Sequence, residues 1–300
     1  MGVVVYADDV LLTAPTRRAM QLMLNKCQSY AVENNIMFST DPNPSKSKTK
    51  CLLICGTKIN LVKPAPLTLC GRDLPWVSTA THLGHELHET GDMEHDALVK
   101  RALFIDQSVR LRESFSFTSP VEILGAMKVY CCSYYGSMLW DLGGDAANKV
   151  YNAWMTAVRL SWAVPRATRT FLVQQVLSCG LTSAKVDIMT RYGGFYRSLV
   201  QSPSYEVPVL AGIVGNGIRS TTGSNMRLLM ELTGLDPKAF GSARIREELV
   251  KAELVEIAPV DQWRIKYLSK LLEQRQQVHY SGKKCEEEIV SLLIDSLCVN

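Results

Sequence analysis

Two adjacent carboxylates, Asp8 and Asp9, lie between two aliphatic runs in the segment VVVYADDVLL, which begins at residue 3. Neighbouring negative charges repel each other, and apolar surroundings disfavour their charged forms. A divalent cation offsets both costs, and Mg²⁺ prefers hard oxygen ligands such as these. Mg²⁺ held by carboxylates beside substrate phosphates is the usual arrangement of two-metal phosphoryl-transfer sites. The alternative is an ordinary solvent-facing turn, because aspartate is common in turns.

The flanking residues predict a β-hairpin that carries the two carboxylates near its turn. Val3 to Tyr6 is a β-branched run typical of a buried strand, and Val10 to Leu12 supplies the partner strand. Pro15 and Thr16 then open a helix that ends near Asn34-Asn35. Its apolar face consists of Met20, Met23, Leu24, Cys27 and Ala31.

A lysine-rich loop and further strands complete an α+β region over residues 1–90. The loop STDPNPSKSKTK leads into a strand predicted over Cys51 to Cys55. The segment LTLCGRDLPWV predicts a hairpin that turns at Gly71-Arg72-Asp73. The segment THLGHELH follows and is typical of a strand and a turn.

From about residue 92 the hydrophobic period becomes helical. Ser119, Pro120 and Glu122 form a helix start signal, and the helix that they open is predicted to run toward Trp140. Residues 201–223 are rich in Ser, Gly and Pro and predict a linker between helical regions over 91–200 and 224–300. Further helices are predicted at 96–112, 146–163, 170–178, 183–200, 224–233, 242–256 and 260–278.

Composition limits the class of protein without deciding its function. Hydrophobic residues make up 47% of the 300 residues, which is sufficient for a globular core. The net charge of +4 permits a nucleic-acid partner. The nine cysteines show no disulfide framework, which favours a reducing compartment. We recognise no signal peptide or membrane-spanning segment, and therefore expect a nuclear or cytoplasmic protein without a membrane partner.

Three segments, in this order, resemble reverse transcriptases of non-LTR (LINE-type) retrotransposons. VVVYADDVLL resembles their metal-binding Tyr-x-Asp-Asp hairpin. NPSKSKTKCLLI resembles the next motif, in which a lysine lies near the incoming nucleotide. LPWVSTATHLGHEL resembles the primer-grip region, which often ends in Tyr-Leu-Gly where this chain has His82-Leu83-Gly84. The resemblance covers residues 3–90 and extends more loosely to about residue 200.

The resemblance implies an RNA-directed DNA polymerase, a nucleotidyltransferase acting on an RNA template, a DNA primer and deoxynucleotides. It assigns Asp8 and Asp9 as catalytic metal ligands for Mg²⁺, or Mn²⁺ in its place, with Asp8 favoured for direct ligation. Tyr6 would pack near the primer end, and Leu83 and Gly84 would belong to the primer grip. The helices after residue 90 would form a thumb and a C-terminal region.

The lysine near the nucleotide is open among Lys46, Lys48 and Lys50. The position of Lys48 before the predicted strand favours it. As single residues, the three lysines are more typical of a solvated basic loop.

A polymerase palm of this family takes another aspartate from a strand well before the hairpin. Here the hairpin strand begins at residue 3, and Asp41 and Asp73 follow it in a different context. We therefore expect a fragment that lacks polymerase activity by itself. The alternative is a non-catalytic helical fragment that binds nucleic acid or protein and keeps a vestigial hairpin.

Two further kinds of residue pattern allow both a functional and a structural interpretation. Four histidines with nearby carboxylates could ligate zinc, although their segment is typical of strand and turn. Two basic and aromatic stretches could bind nucleic acid, but at helical spacing they are more typical of amphipathic helices with core aromatics. The histidines are His82, His85, His88 and His95, beside Glu86, Glu89 and Asp92. The stretches are Trp154, Arg159, Trp162, Arg166 and Arg169, and Arg191, Tyr192, Phe195, Tyr196 and Arg197.

Overall fold

The computed structural model describes residues 2–41, 43–55, 63–115, 118–177, 182–217 and 220–253, with 262, 266–270 and 273–274. The chain splits into two compact units, the first unit Met1–Asp96 and the second unit Ala97–Asn300. The described strands all lie in the first unit, and most of the described helices lie in the second. The α+β class predicted from the sequence is confirmed.

The first unit is built from short strand pairs and one long helix. In the described residues, β1–β2, β4–β5 and β7–β8 pair antiparallel, and β3–β6 pair parallel, as separate two-stranded sheets. The elements are β1 Gly2–Tyr6, β2 Asp9–Thr13, α1 Arg17–Glu33, β3 Cys51–Leu52, β4 Leu67–Leu69, β5 Arg72–Leu74, β6 Trp76–Val77, β7 Thr79–His82 and β8 His85–His88.

Helix α1 covers the edge of β4 with polar side chains and packs its apolar face on a leucine cluster. The Thr16 hydroxyl caps the helix by accepting from the Ala19 amide at 3.2 Å. The Gln21 amide donates to the Thr68 carbonyl at 2.8 Å and accepts from the Thr68 N–H at 3.0 Å, which satisfies strand-edge groups. The helix predicted from the apolar spacing is confirmed. The buried cluster is Leu24, Leu67, Leu69 and Leu74.

Three local predictions for the first unit were wrong. The strand Val3–Tyr6 is exposed rather than buried, with Val5 at 62% exposure, because β1 pairs only with β2 among the described residues. The strand predicted over 51–55 is limited to Cys51–Leu52, the pair that meets β6. The β4–β5 turn is Cys70-Gly71, both at positive φ, since Arg72 and Asp73 already pair in β5.

The second unit is helical in its described part. Helix α2 begins at the end of the first unit, and short 3₁₀ turns occur at Ser137–Leu139 and Pro237–Ala239. Within the described ranges, no helix has both the length and the apolar character needed to span a membrane. The helices are α2 Glu94–Ser114, α3 Pro120–Tyr130, α4 Asp145–Ser161, α5 Thr170–Leu177, α6 Ala184–Val200, α7 Glu206–Asn216, α8 Thr221–Thr233 and α9 Ser242–Glu253.

The helix start at Ser119 is confirmed as a capping box. The Ser119 hydroxyl accepts from the Glu122 N–H at 3.4 Å, and the Glu122 carboxylate accepts from the Ser119 N–H at 3.2 Å. The helix does not continue to Trp140, however. It ends at Tyr130, and the chain then reaches Gly136 at φ +81°, which no regular helix adopts.

The centre of the segment 201–223, predicted to be a linker, is helical. Residues Glu206–Asn216 form α7, whose sequence EVPVLAGIVGN contains a strongly apolar run that outweighs the neighbouring Ser and Gly residues. Pro208 lies in the first turn of this helix, where a missing N–H costs no hydrogen bond. The helix predicted over 260–278 lies mostly outside the described residues.

Candidate functional site

The β1–β2 hairpin presents the two aspartates at an exposed two-residue turn. Tyr6 pairs with Asp9, which leaves Ala7 and Asp8 as the turn itself. Ala7 has φ +52°, a left-handed conformation that hairpin turns usually assign to Gly or Asn. Holding a non-glycine residue there costs about 1–3 kcal/mol, and such strain concentrates at functional sites.

Cross-strand pairing places Tyr6 and Asp9 on the same face of the hairpin. Directly opposed residues of an antiparallel pair share a face, so Tyr6 and Asp9 project from the same face of the hairpin. Tyr6 is 66% exposed, and both aspartates are exposed. Leu12, at the far end of β2, packs against the leucine cluster and anchors the hairpin. The tip therefore projects from the unit while its base is held.

The two carboxylates at this hairpin tip match a Mg²⁺ ion that takes only some of its ligands from the protein. Mg²⁺ is typically bound by one or two carboxylates, and it takes its other ligands from water and substrate phosphates. Asp8 and Asp9 supply two adjacent carboxylates of that kind. Within the described residues, no group of three or more His, Cys, Asp or Glu side chains forms a cage for a metal. The residues present fit an open magnesium site.

The loop with the three candidate lysines is held by small polar side chains. The Ser47 hydroxyl is buried, accepts from the Asp41 N–H at 3.3 Å and donates to the Thr49 carbonyl. Lys46, Lys48 and Lys50 are all exposed on the outside of this loop. The geometry does not distinguish Lys48 from its two neighbours.

The β7–β8 turn contains Leu83 and Gly84, which the resemblance described above predicts to belong to a primer grip. Leu83 at φ +48° and Gly84 at φ +77° form the two-residue turn between His82 and His85. Two consecutive positive φ angles are what a type I′ hairpin requires, and a leucine adopts them only under strain. The buried Asp96 carboxylate accepts from the Glu86 N–H at 3.0 Å and so ties β8 to the start of α2.

The histidines lie along this hairpin and the helix after it. The rings of His88 and His95 stack with centroids 5.5 Å apart, and His88 Nδ1 hydrogen-bonds the Thr90 hydroxyl at 2.7 Å. His82 and His85 face each other across the turn. In the part of the chain that is described, these side chains do not assemble into a metal-binding group.

The structure brings some of the predicted site residues together and leaves others apart. Tyr6, Asp8 and Asp9 share one hairpin tip. The lysines lie in the loop before β3, and Leu83-Gly84 lies in the β7–β8 turn. The described strands do not join these three places into one continuous sheet.

Four aromatic rings of the two basic and aromatic stretches are buried. Trp154 and Trp162 are buried, and the Arg159 guanidinium donates to the Thr168 carbonyl at 3.0 Å, so this stretch belongs to the core and its caps. In the second stretch Tyr192 and Tyr196 are likewise buried. The interpretation as amphipathic helices with core aromatics is confirmed for these four rings.

The structure also shows a site that the sequence did not indicate, here named the second-unit cavity. It has a volume of about 650 Å³, and Lys128, Asp187, Arg191 and Arg246 contribute its charged lining. These residues come from α3, α6 and α9. Asp187 and Arg191 are four residues apart on α6, but no sequence spacing connects them with Lys128 or Arg246. Only Arg191 belonged to a stretch considered for nucleic-acid binding.

A charge network fixes one side of the second-unit cavity. Lys128 Nζ and Arg246 Nη2 lie 3.0 and 3.3 Å from the two carboxylate oxygens of Asp187. The Thr182 hydroxyl accepts from Lys128 at 2.6 Å and donates to Asp187 at 2.7 Å. Charge-assisted hydrogen bonds of this kind hold side chains in one geometry. Burial raises the pKa of the nearby Tyr134 hydroxyl above its ordinary value.

No protein-family model, curated protein or solved structure matches this chain.

Proposed function

We propose that the first unit is part of the palm of a reverse transcriptase of the non-LTR retrotransposon type. In this proposal Asp8 and Asp9 are the catalytic metal ligands of an RNA-directed DNA polymerase. The substrates are a DNA primer on an RNA template and a deoxynucleotide. The primer grip contains Leu83 and Gly84, and Lys48 is the favoured residue on the nucleotide side.

The observation that carries the proposal is the geometry of the hairpin tip. Two carboxylates project at a strained turn near an exposed tyrosine, and Ala7, between Tyr6 and Asp8, is held in a left-handed conformation. An ordinary solvent-facing turn would not need two adjacent like charges. The sequence order of hairpin, lysine loop and primer-grip segment supports the same function.

The roles of the residues follow from their chemistry. Asp8 and Asp9 bind Mg²⁺ or Mn²⁺, and the metal supplies charge neutralisation for the triphosphate and activation of the primer hydroxyl. The Tyr6 ring, on the same face as Asp9, packs against the primer end and orients it. A complete two-metal site needs a further carboxylate from another strand, and we therefore expect the isolated chain not to extend a primer.

Metal binding at the tip is tested by iron-directed cleavage of the whole chain. Fe²⁺ with ascorbate and peroxide generates radicals where the metal is bound, so the backbone should break near Asp8 and Asp9. The substitution Asp8→Asn should abolish this cleavage, and excess Mg²⁺ should suppress it. Asp73→Asn is the matched control, because Asp73 is an exposed carboxylate on a different hairpin. Cleavage that is absent from the tip, or unchanged in Asp8→Asn, would show that the hairpin is not a metal site.

The polymerase role is tested with a primer that carries a photoreactive nucleotide at its 3′ end. Annealed to an RNA template, this primer should crosslink to the β1–β2 hairpin at Tyr6. Crosslinks confined to the second unit would contradict the assignment of the hairpin as a polymerase palm. Templated extension by the pure chain, lost in Asp8→Asn, would establish the polymerase activity and refute the requirement for a further carboxylate.

A further inference from the structure

The second-unit cavity combines positive charge with aromatic surface. Its charged lining comprises three cations and one carboxylate, a net charge of +2. Its aromatic lining includes Tyr134, Tyr135 and Phe195. A cationic ligand would need a lining with net negative charge. A purely hydrophobic ligand would not need positively charged side chains in the lining. The combination matches an anion that carries a flat ring system.

Arg191 is the cation of this lining that is available to a ligand. Asp187 already pairs with Lys128 and Arg246. Arg191 is exposed and makes no ion pair with another described residue, and its guanidinium lies 5.9 Å from the centroid of the Tyr134 ring. This cation–π contact orients the planar Arg191 guanidinium. Its N–H groups can then donate two parallel hydrogen bonds to one phosphate.

We propose that the second-unit cavity binds a nucleoside phosphate unit, with its phosphate on Arg191 and its base against Tyr135 and Phe195. The volume of about 650 Å³ lies within the range of ligand pockets, about 300–1,000 Å³. The source is either a free nucleotide or one nucleotide of a single-stranded nucleic acid, since Tyr135 and Arg191 are exposed and leave room for a continuing chain. The inference does not depend on the function proposed for the hairpin.

The test measures binding of four probes to the whole chain. Adenosine monophosphate, adenosine and inorganic phosphate are titrated by calorimetry, and a labelled oligoadenylate RNA of about ten nucleotides by fluorescence anisotropy. Adenosine monophosphate should bind more tightly than adenosine or phosphate alone, because both halves of the site contribute. Binding of the RNA but not of the mononucleotide assigns the site to a polymer, and the reverse result assigns it to a free nucleotide.

Substitutions on the lining separate the two halves of the site. Arg191→Ala should weaken binding by about tenfold or more, the effect of losing a charge-assisted hydrogen bond, and Arg191→Lys by less. Tyr135→Leu should weaken nucleotide binding by about fivefold or more through lost stacking, and leave phosphate binding unchanged. Matched controls are Arg166→Ala and Tyr205→Leu, which change exposed residues outside the lining.

The results that would overturn the inference are equally specific. Equal affinities for phosphate and adenosine monophosphate would show that the cavity does not recognise the nucleoside. No binding of either nucleotide probe, or binding that Arg191→Ala leaves unchanged, would refute the site. Asp8→Asn should have no effect on any of these titrations, so failure at the cavity and failure at the hairpin remain distinguishable.

Discussion

Replacing Asn225 should strongly destabilise the second unit. Asn225 lies within α8 and is 1% exposed. Its Oδ1 accepts from the Leu142 N–H at 2.9 Å, and its Nδ2 donates to the Trp140 carbonyl at 2.7 Å. The two partners fix the orientation of the amide, because one of them only donates and the other only accepts. This single side chain therefore satisfies two backbone groups of the turn that precedes α4.

The magnitude follows from the two hydrogen bonds that Asn225→Ala removes. Losing the partner of a buried donor or acceptor costs about 1–3 kcal/mol, so the two losses together cost about 2–6 kcal/mol. Alanine is a better helix former than asparagine by about 0.5 kcal/mol, which offsets a small part. We expect a net loss of about 2–5 kcal/mol in the free energy of unfolding.

Urea unfolding followed by circular dichroism measures the loss by linear extrapolation. The matched control is Ser224→Ala, the neighbouring residue on α8, which is exposed and accepts only a 3.3 Å bond from Arg227. That substitution should change the free energy of unfolding by no more than about 0.5 kcal/mol. A loss below about 1 kcal/mol for Asn225→Ala, or one equal to the control, would refute the reasoning.

Two further predictions concern ionisable groups. Burial raises the pKa of Glu253 above its ordinary value of 4.5, so its contribution to stability is present below that value and is lost as pH rises through the raised pKa. Glu253→Gln should remove this step from the unfolding free energy measured against pH, and an unchanged profile would contradict the assignment. Burial raises the pKa of Cys132 to about 11, whereas Cys70 is exposed. Iodoacetamide followed by mass spectrometry should therefore modify Cys70 in the native chain and Cys132 only after unfolding, and equal rates would show that Cys132 is accessible.

Local signals in the sequence predicted the elements that depend on neighbouring residues. Ser119 and Glu122 form a capping box because the two side chains and the two N–H groups lie within one turn of the chain. The hairpin that carries Asp8 and Asp9 has the predicted pairing, since its turn joins adjacent strands. The candidate metal ligands could be named from sequence for the same reason.

The burial of strands and the positions at which helices begin and end were predicted less well. The β-branched run of β1 is typical of a buried strand, yet its exposure depends on which other segments cover it, and composition holds no such information. The helix α7 was not predicted because it lies in a stretch rich in Ser, Gly and Pro, and Ala211 alone of its described residues is buried. The end of α3 at Tyr130 depends on the backbone path after Cys131.

By itself, the sequence determined the hairpin, the caps and the adjacency of the two carboxylates, because each is settled within a few residues. The tertiary structure alone decided the second-unit cavity and the role of Asn225. Lys128, Asp187 and Arg246 belong to three different helices. Asn225 accepts a hydrogen bond from Leu142, which is distant from it in the sequence. Such contacts depend on how helices pack, and packing responds to shape and volume across the whole unit rather than to any local pattern.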